Sequence, residues 1–285
     1  MLGPMRTKKT DRTGEPPPPP EPLAVPVLDS HTHFDLQDGC DTAAGVADAL
    51  AKARAVGVDR VVQVGIDVPS SRWAADLADQ LPGVVATVAL HPNDAPHQPD
   101  LDAALAEIDA LAARDRVRGV GETGLDYFRT DEAGRERQHR SFRAHIDIAK
   151  RHGKALVIHD RDAHQDVLRI LEEEGAPDQV VLHCFSGDAE FAKQCADRGY
   201  VCSFAGTVTF KNAQPLREAA RTLPAELILV ETDAPFLTPM PYRGRPNAPY
   251  LTPLTVRFLA ELRGEELDEL CGVISATGDR VFGPW

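Results

Sequence analysis

The chain has 285 residues, 42% of them hydrophobic, enough to bury a sizeable core and close to the ~250 residues of a single α/β barrel. Its 44 acidic against 31 basic side chains give a net charge of -13. This excludes a broad basic surface for phosphate backbones and leaves only local contacts through a few Arg or Lys or through bound cations. Five scattered cysteines, Cys40, Cys184, Cys195, Cys202 and Cys271, exclude a disulfide framework. No apolar run approaches the ~20 residues of a membrane span and no signal-peptide core opens the chain, so a cytoplasmic setting without membrane contact is expected.

Residues 1–24 contain Lys8, Lys9 and the run Pro16 to Pro20. They offer little apolar area and are expected to form a disordered, Pro-rich tail, with residues 25–285 as one barrel domain. From Val25 the pattern becomes regular. Strands are predicted at Val25–Asp29, Arg60–Gly65, Val84–Leu90, Val117–Gly121, Ala155–Ile158, Val180–Leu182, Tyr200–Phe204 and Leu227–Val230. They are short, aliphatic and not alternating, as parallel strands buried on both faces are. Helices are predicted over Asp41–Val56, stopped by Gly57, and Gln165–Glu174, stopped by Gly175. A third starts with Thr252 as N-cap and Pro253 at the first position, and is closed by Gly264. Strand ends recur at roughly 22 to 37 residues, near the ~30 of a βαβ unit. Eight such units indicate a TIM-like (β/α)8 barrel. No GxGxxG follows a strand, which argues against a doubly wound sheet.

Active sites of such barrels lie at the C-terminal ends of the strands, and the chemistry-bearing residues fall there. His31 and His33 are two apart, so they leave the same face of the first strand. His91, Glu122, His159, His183 and Asp233 follow the third, fourth, fifth, sixth and eighth strands. Four histidines and two carboxylates suffice for two adjacent divalent cations (Mg, Mn or Zn). The expected ligands are His31, His33, Glu122 and Asp233 for one, and Glu122, His159 and His183 for the other, with Glu122 bridging. Two cations ~3.5–4 Å apart stabilise the attacking and leaving oxygens of a phosphoryl displacement. Asp233 would orient the attacking water and take its proton. Asp126 is expected to orient a ligand histidine. His91 either meets a phosphate or fixes the loop at Pro92. His97, His139, His145, His152 and His164 are expected to be exposed, and Arg129, Arg135, Arg137, Arg140 and Arg143 to line a solvated helix face.

Seven strings in order carry a resemblance. They are His31-Thr-His33-Phe-Asp35, Leu90-His-Pro92, Gly121-Glu-Thr-Gly-Leu-Asp126, His183-Cys-Phe-Ser-Gly187, Thr209-Phe-Lys-Asn212, Glu231-Thr-Asp-Ala-Pro235 and Pro241-Tyr-Arg-Gly-Arg-Pro-Asn247. The chain resembles the TatD family of metal-dependent deoxyribonucleases across essentially the whole barrel. The resemblance implies an amidohydrolase-like barrel, the six metal ligands above, and a 3′-to-5′ exonuclease acting on single-stranded or end-frayed DNA, with roles in DNA repair. No obligate protein partner is implied. It also implies that His91, Arg243 and Asn247 lie near the substrate phosphate. The family loop Arg-Gly-Lys-Arg-Asn-Glu-Pro here reads Arg243-Gly-Arg-Pro-Asn-Ala-Pro249, which leaves loop conformation and substrate preference open. An amide or ester hydrolase of the same superfamily, such as a D-aminoacyl-tRNA deacylase, is the enzymatic alternative. Such enzymes more often carry a carbamylated lysine where this chain has Glu122. A non-enzymatic, metal-loaded binding module is the third reading.

Overall fold

The structure is a computed structural model and describes residues 14–283 and 285. Eight parallel strands run in the order β1 to β8: Val27–Thr32, Val58–Val64, Val84–Val88, Val117–Asp126, Ala155–Arg161, Val180–Leu182, Val201–Phe204 and Ile228–Val230. Helices α1 (Ala43–Arg54) to α7 (Gln214–Thr222) follow successive strands, and α8 (Thr252–Arg263) and α9 (Leu267–Phe282) complete the outer layer. This is the expected TIM-type barrel. The aliphatic strands are buried nearly throughout, because helices cover one face and the barrel core the other.

The barrel closes through its active rim. Thr32 bridges to Ala234. The His33 amide donates to the Ala234 carbonyl at 2.8 Å, and the Asp233 amide to the His31 carbonyl at 2.9 Å. Below them the buried Asp29 carboxylate accepts from the Thr232 amide at 2.9 Å. The same bonds that complete the cylinder therefore fix His31, His33 and Asp233 against one another.

Strands β4 and β5 run beyond their expected ends, to Asp126 and Arg161, paired as Thr123 to Ile158 and Gly124 to His159. Gly124 permits this. Its φ is +135°, and a Cβ there would lie 2.1 Å from the His159 carbonyl oxygen. Glu122 and His159 are consequently strand residues held in register rather than loop residues.

Three expectations require correction. The tail was expected to be disordered over residues 1–24. Residues 1–13 lie outside the described residues, while 14–24 lie along the barrel. Arg245 donates to the carbonyls of Glu15 and Pro16 at 2.7 and 3.0 Å, and Tyr250 to that of Pro17 at 2.6 Å. Arg257 reaches the Glu21 and Pro22 carbonyls at 3.2 and 3.0 Å, and Leu23 is buried. A polyproline-like segment has no internal hydrogen bonds, so its carbonyls are free to accept from side chains. Thr252 is not an N-cap: a short 3-10 turn, Pro249–Leu251, runs directly into α8, and the Thr252 hydroxyl donates back to the Pro249 carbonyl at 2.8 Å. His145 is not exposed but fully buried on α4 (Glu132–His152). Its Nδ1–H donates to the Ser141 carbonyl at 2.7 Å, and its Nε2 accepts from the Leu90 amide at 3.0 Å. Burial pushes its pKa down to about 4.

Candidate metal centre

The barrel mouth holds a cavity of about 1090 Å³ whose floor includes His33, Glu122, His159, His183 and Asp233. The two oxygens of Glu122 face two different sets of nitrogens. Oε2 lies 3.4 Å from His31 Nε2 and 3.9 Å from His33 Nε2. Oε1 lies 2.7 Å from His159 Nδ1 and 3.1 Å from His183 Nε2. Asp233 Oδ1 completes the first set, 3.4 Å from His33 Nε2 and 3.9 Å from His31 Nε2. The two imidazole nitrogens are 3.2 Å apart. Ligands at about 2.1 Å from one tetrahedral ion stand about 3.4 Å from each other. Five contacts within the first set lie between 3.2 and 3.9 Å, close to those edges.

The partners of the opposite ring nitrogens show which atoms offer lone pairs. His33 Nδ1 meets the Val64 carbonyl at 3.3 Å, and His183 Nδ1 meets Glu231 Oε1 at 2.9 Å. With a proton on Nδ1, each of these rings can turn a bare Nε2 inward to a cation. His159 Nε2 faces Asp126 Oδ2 at 3.3 Å, which puts its Nδ1 lone pair against Glu122 Oε1. Acceptors facing acceptors need a proton or a cation between them, so this donor set fits divalent metal. His31 lies at the bottom, wholly buried, its ring stacked on that of His183 with centroids 3.7 Å apart. Its Nδ1 and Glu231 Oε2 are both buried without a hydrogen-bond partner.

Electrostatics follow from this crowding. With protons rather than a cation in those gaps, burial opposes ionisation of Glu122, yet the neighbouring charges of His183 and His91 and hydrogen bonds from His159 and His183 hold its carboxyl well below the usual range. Burial, then the charge of His183, lowers His31 to about 3. Burial also works against a proton on His33, but the hydrogen bond and charge of Asp233 outweigh it and raise it to about 9. Burial opposes ionisation of Asp126, but bonds from His159, Asn93 and the Arg129 amide keep it below the usual carboxylate range. Among the described residues, three groups bring their ligand atoms within 4.8 Å of one another: His31, His183 and Glu231; His31, His33 and Asp233; His91, Glu122 and His159.

Residues named from the sequence separate here into three kinds. His31, His33, Glu122, His159, His183 and Asp233 converge, and Asp126 stands behind His159. His91 lines the cavity, but its Nδ1 accepts from the Asn93 amide at 3.0 Å. Its Nε2–H is thereby left to donate to Glu122 Oε1, 3.2 Å away. His91 is thus a donor to the Glu122 carboxylate rather than a lone-pair ligand. Arg243 and Asn247, expected beside a substrate phosphate, are not among the residues that line the cavity. Arg243 is exposed and stacks over Phe210 at 4.2 Å. Asn247 is buried, its amide spent on the Thr232 and Phe236 carbonyls at 2.8 and 2.6 Å, holding the loop after β8. Its side chain cannot turn outward without leaving those carbonyls unpaired.

Sequence reasoning missed Glu231, although it lies two residues before Asp233 in a quoted string. It missed Arg161, the last residue of β5, and misplaced Arg129. Arg129, expected on a solvated helix face, sits in the turn before α4 and lines the cavity with Arg161. Of the other arginines of that group, Arg140 pairs with Asp102 and Arg143 with Glu173 and Glu174, while Arg137 donates to the Gln98 carbonyl and Arg135 lies over the Tyr127 ring. Among the described residues no carboxylate pairs with the guanidinium of Arg129 or Arg161.

The comparisons agree with this geometry. A family model described as TatD related DNase matches residues 28–283. A metal-dependent hydrolase of Mycobacterium tuberculosis named TatD, itself described as uncharacterized, is 46% identical over 261 residues, covering 90% of this chain and 98% of that one. YcfH of Escherichia coli, described in the same terms, is 39% identical over 257 residues, covering 90% and 95%. The crystal structure of YJJV, a TatD homolog from Escherichia coli, has a TM-score of 0.84 at 27% identity and covers 91% of this chain and 98% of that one. With the donor set in place and the match running from β1 through α9, this chain belongs to the TatD family of metal-dependent hydrolases.

Proposed function

We propose that the chain is a phosphodiester hydrolase acting on DNA, on single strands or frayed ends, with two divalent cations joined by Glu122. The observation that carries the reading is the pair of uncompensated guanidiniums, Arg129 and Arg161, facing the same cavity as the metal ligands. In a chain of net charge -13, arginines without carboxylates beside a buried donor cluster suit an anionic substrate with phosphate oxygens. The name of the matching family, TatD related DNase, agrees with that choice.

Cations at these ligands would polarise phosphoryl oxygens and ease ionisation of a water at neutral pH. The chain supplies the rest. His31, His33, Glu122 and Asp233 would hold one cation, and Glu122, His159 and His183 the other. The Asp233 side chain is 15% exposed against 6% for Glu122, so it is the carboxylate open to solvent and the one to take the proton of the attacking water. Arg129 and Arg161 would grip the phosphates. Trp73, Phe236 and Leu237 on the cavity wall would keep bulk water from the reacting bond. The five free thiols suit a cytoplasmic protein. No helix of the described residues is long and apolar enough to cross a membrane.

The test is hydrolysis of a 3′-labelled single-stranded oligonucleotide beside a D-aminoacyl-tRNA, with Mg²⁺, Mn²⁺ or Zn²⁺ and with EDTA. The reading expects metal-dependent release of labelled mononucleotides and no deacylation. Preferred turnover of the aminoacyl ester, or digestion that persists in EDTA, would overturn it.

A further inference from the structure

Phe128 stands two residues beyond the end of β4 and is 63% exposed, the large hydrophobic side chain that the described fold leaves in solvent. Its neighbour Tyr127 is engaged: the hydroxyl donates to Asp166 at 2.6 Å and the ring lies under Arg135. Phe128 instead meets Arg161, whose guanidinium carbon lies 3.9 Å from the ring centroid. The Tyr127 amide donates to the Arg161 carbonyl at 2.9 Å, so the two strand ends hold this pair side by side. Arg161 and Arg129 both line the cavity, so Phe128 adjoins that lining, against Arg161 in space and next to Arg129 in the chain. Phe128 lies six positions after Glu122, at most about 20 Å if fully extended, a distance that a few nucleotides of single strand can span.

We infer that Phe128 and Arg161 form a stacking platform for a nucleobase of the bound strand, a few nucleotides from the bond that is cut. The guanidinium covers one face of the ring and fixes its orientation. A base stacking on the ring gains contact that does not depend on its identity, because every base presents a π-face, and the guanidinium adds cation–π attraction. The adjacent Arg129 then lies where the strand's phosphates pass. This occupant is favoured over a protein partner because the cations and the ring together match a polyanion carrying flat aromatic groups. The inference rests on the phosphodiesterase reading above.

The test walks a single abasic site along a single-stranded oligonucleotide and compares the wild type with Phe128→Ala and Phe128→Trp in the full chain with metal. In the wild type, removing the base at one position is expected to raise KM about 5- to 100-fold. Phe128→Ala is expected to show a similarly raised KM on the intact strand and no further penalty at that position, and Phe128→Trp to restore the positional penalty. If Phe128→Ala keeps the wild-type positional profile, or lowers turnover of every substrate equally without changing that profile, the platform is wrong while the phosphodiesterase reading stands. If the wild type leaves the intact oligonucleotide uncut at every metal, both fall.

Discussion

Glu122 does at the scale of one residue what the whole site depends on, since each of its oxygens faces its own pair of imidazoles. Carboxylates behind the ring nitrogens then decide which lone pairs point inward. Asp126 stands behind His159 and Glu231 behind His183. Asp126→Asn should therefore weaken metal affinity or turnover by about 10- to 100-fold while the melting temperature in metal-free buffer stays close to that of the wild type. Unchanged metal affinity by calorimetric titration would show that Asp126 does not orient His159. The convergence of His31, His33, Glu122, His159, His183 and Asp233 was legible in the sequence because each ends an aliphatic run, where a buried charge needs a partner. Asn247 and Arg243 were not legible. Their loop turns on contacts with the Thr232 and Phe236 carbonyls and with Phe210 that no local pattern announces. His145 failed for a related reason: one polar residue on a helix looks solvated until α4 presses it onto the Leu90 amide. Its folded pKa of about 4 lies below the unfolded value of about 6.5. The unfolded state thus binds the extra proton between those values, and stability falls as pH drops from about 6.5 to 4. His145→Gln should remove that part of the pH dependence, on the order of 3 kcal/mol, in denaturant unfolding followed at pH 7 and pH 4.5. Parallel pH slopes for the two proteins would contradict the assignment.

At the scale of the element, β4 is the strand on which the site turns. Its expected end was Gly121, with Glu122 just beyond. In the structure Gly124, at φ +135°, allows β4 to stay paired to β5 through Asp126. Gly124→Ala sets a Cβ against the His159 carbonyl, so it should destabilise the protein by roughly 2–4 kcal/mol and loosen metal binding at Glu122 and His159 together. Denaturant unfolding indistinguishable from the wild type would show that this close approach is not required. The other strands were legible because parallel, doubly buried β-structure writes itself as short aliphatic runs. Helix α9 was not among the predicted helices. It carries Gly272 and Gly278 in its interior, which lower helix propensity. Close packing takes up the second of these: a Cβ on Gly278 would lie 2.6 Å from the Leu28 side chain on β1.

The whole molecule solves a closure problem at the place where it does chemistry. Strands β1 and β8 meet through Thr32 and Ala234 and through the backbone bonds of His31, His33 and Asp233, so folding and site assembly are one event. The segment 14–24 adds a strap outside this rim, held by Arg245, Tyr250 and Arg257 and anchored by buried Leu23. Composition alone hides it, because its grip comes from main-chain carbonyls rather than apolar area. A chain beginning at Val25 should melt about 5 °C lower than the full chain, and an unchanged thermal midpoint would contradict a stabilising role for the strap. Net charge -13 also acquires a local meaning at this scale: Arg72, Arg140, Arg143, Arg151 and Arg169 pair with carboxylates on the helices, while Arg129 and Arg161 line the mouth. The central claim is that Glu122 joins two cations at that mouth. Anomalous diffraction from crystals of the zinc- or manganese-loaded protein tests it most directly. The account predicts two peaks, one ligated by His31, His33 and Asp233 and the other by His159 and His183, each sharing an oxygen of Glu122. A single peak, or peaks that Glu122 does not ligate, would contradict it.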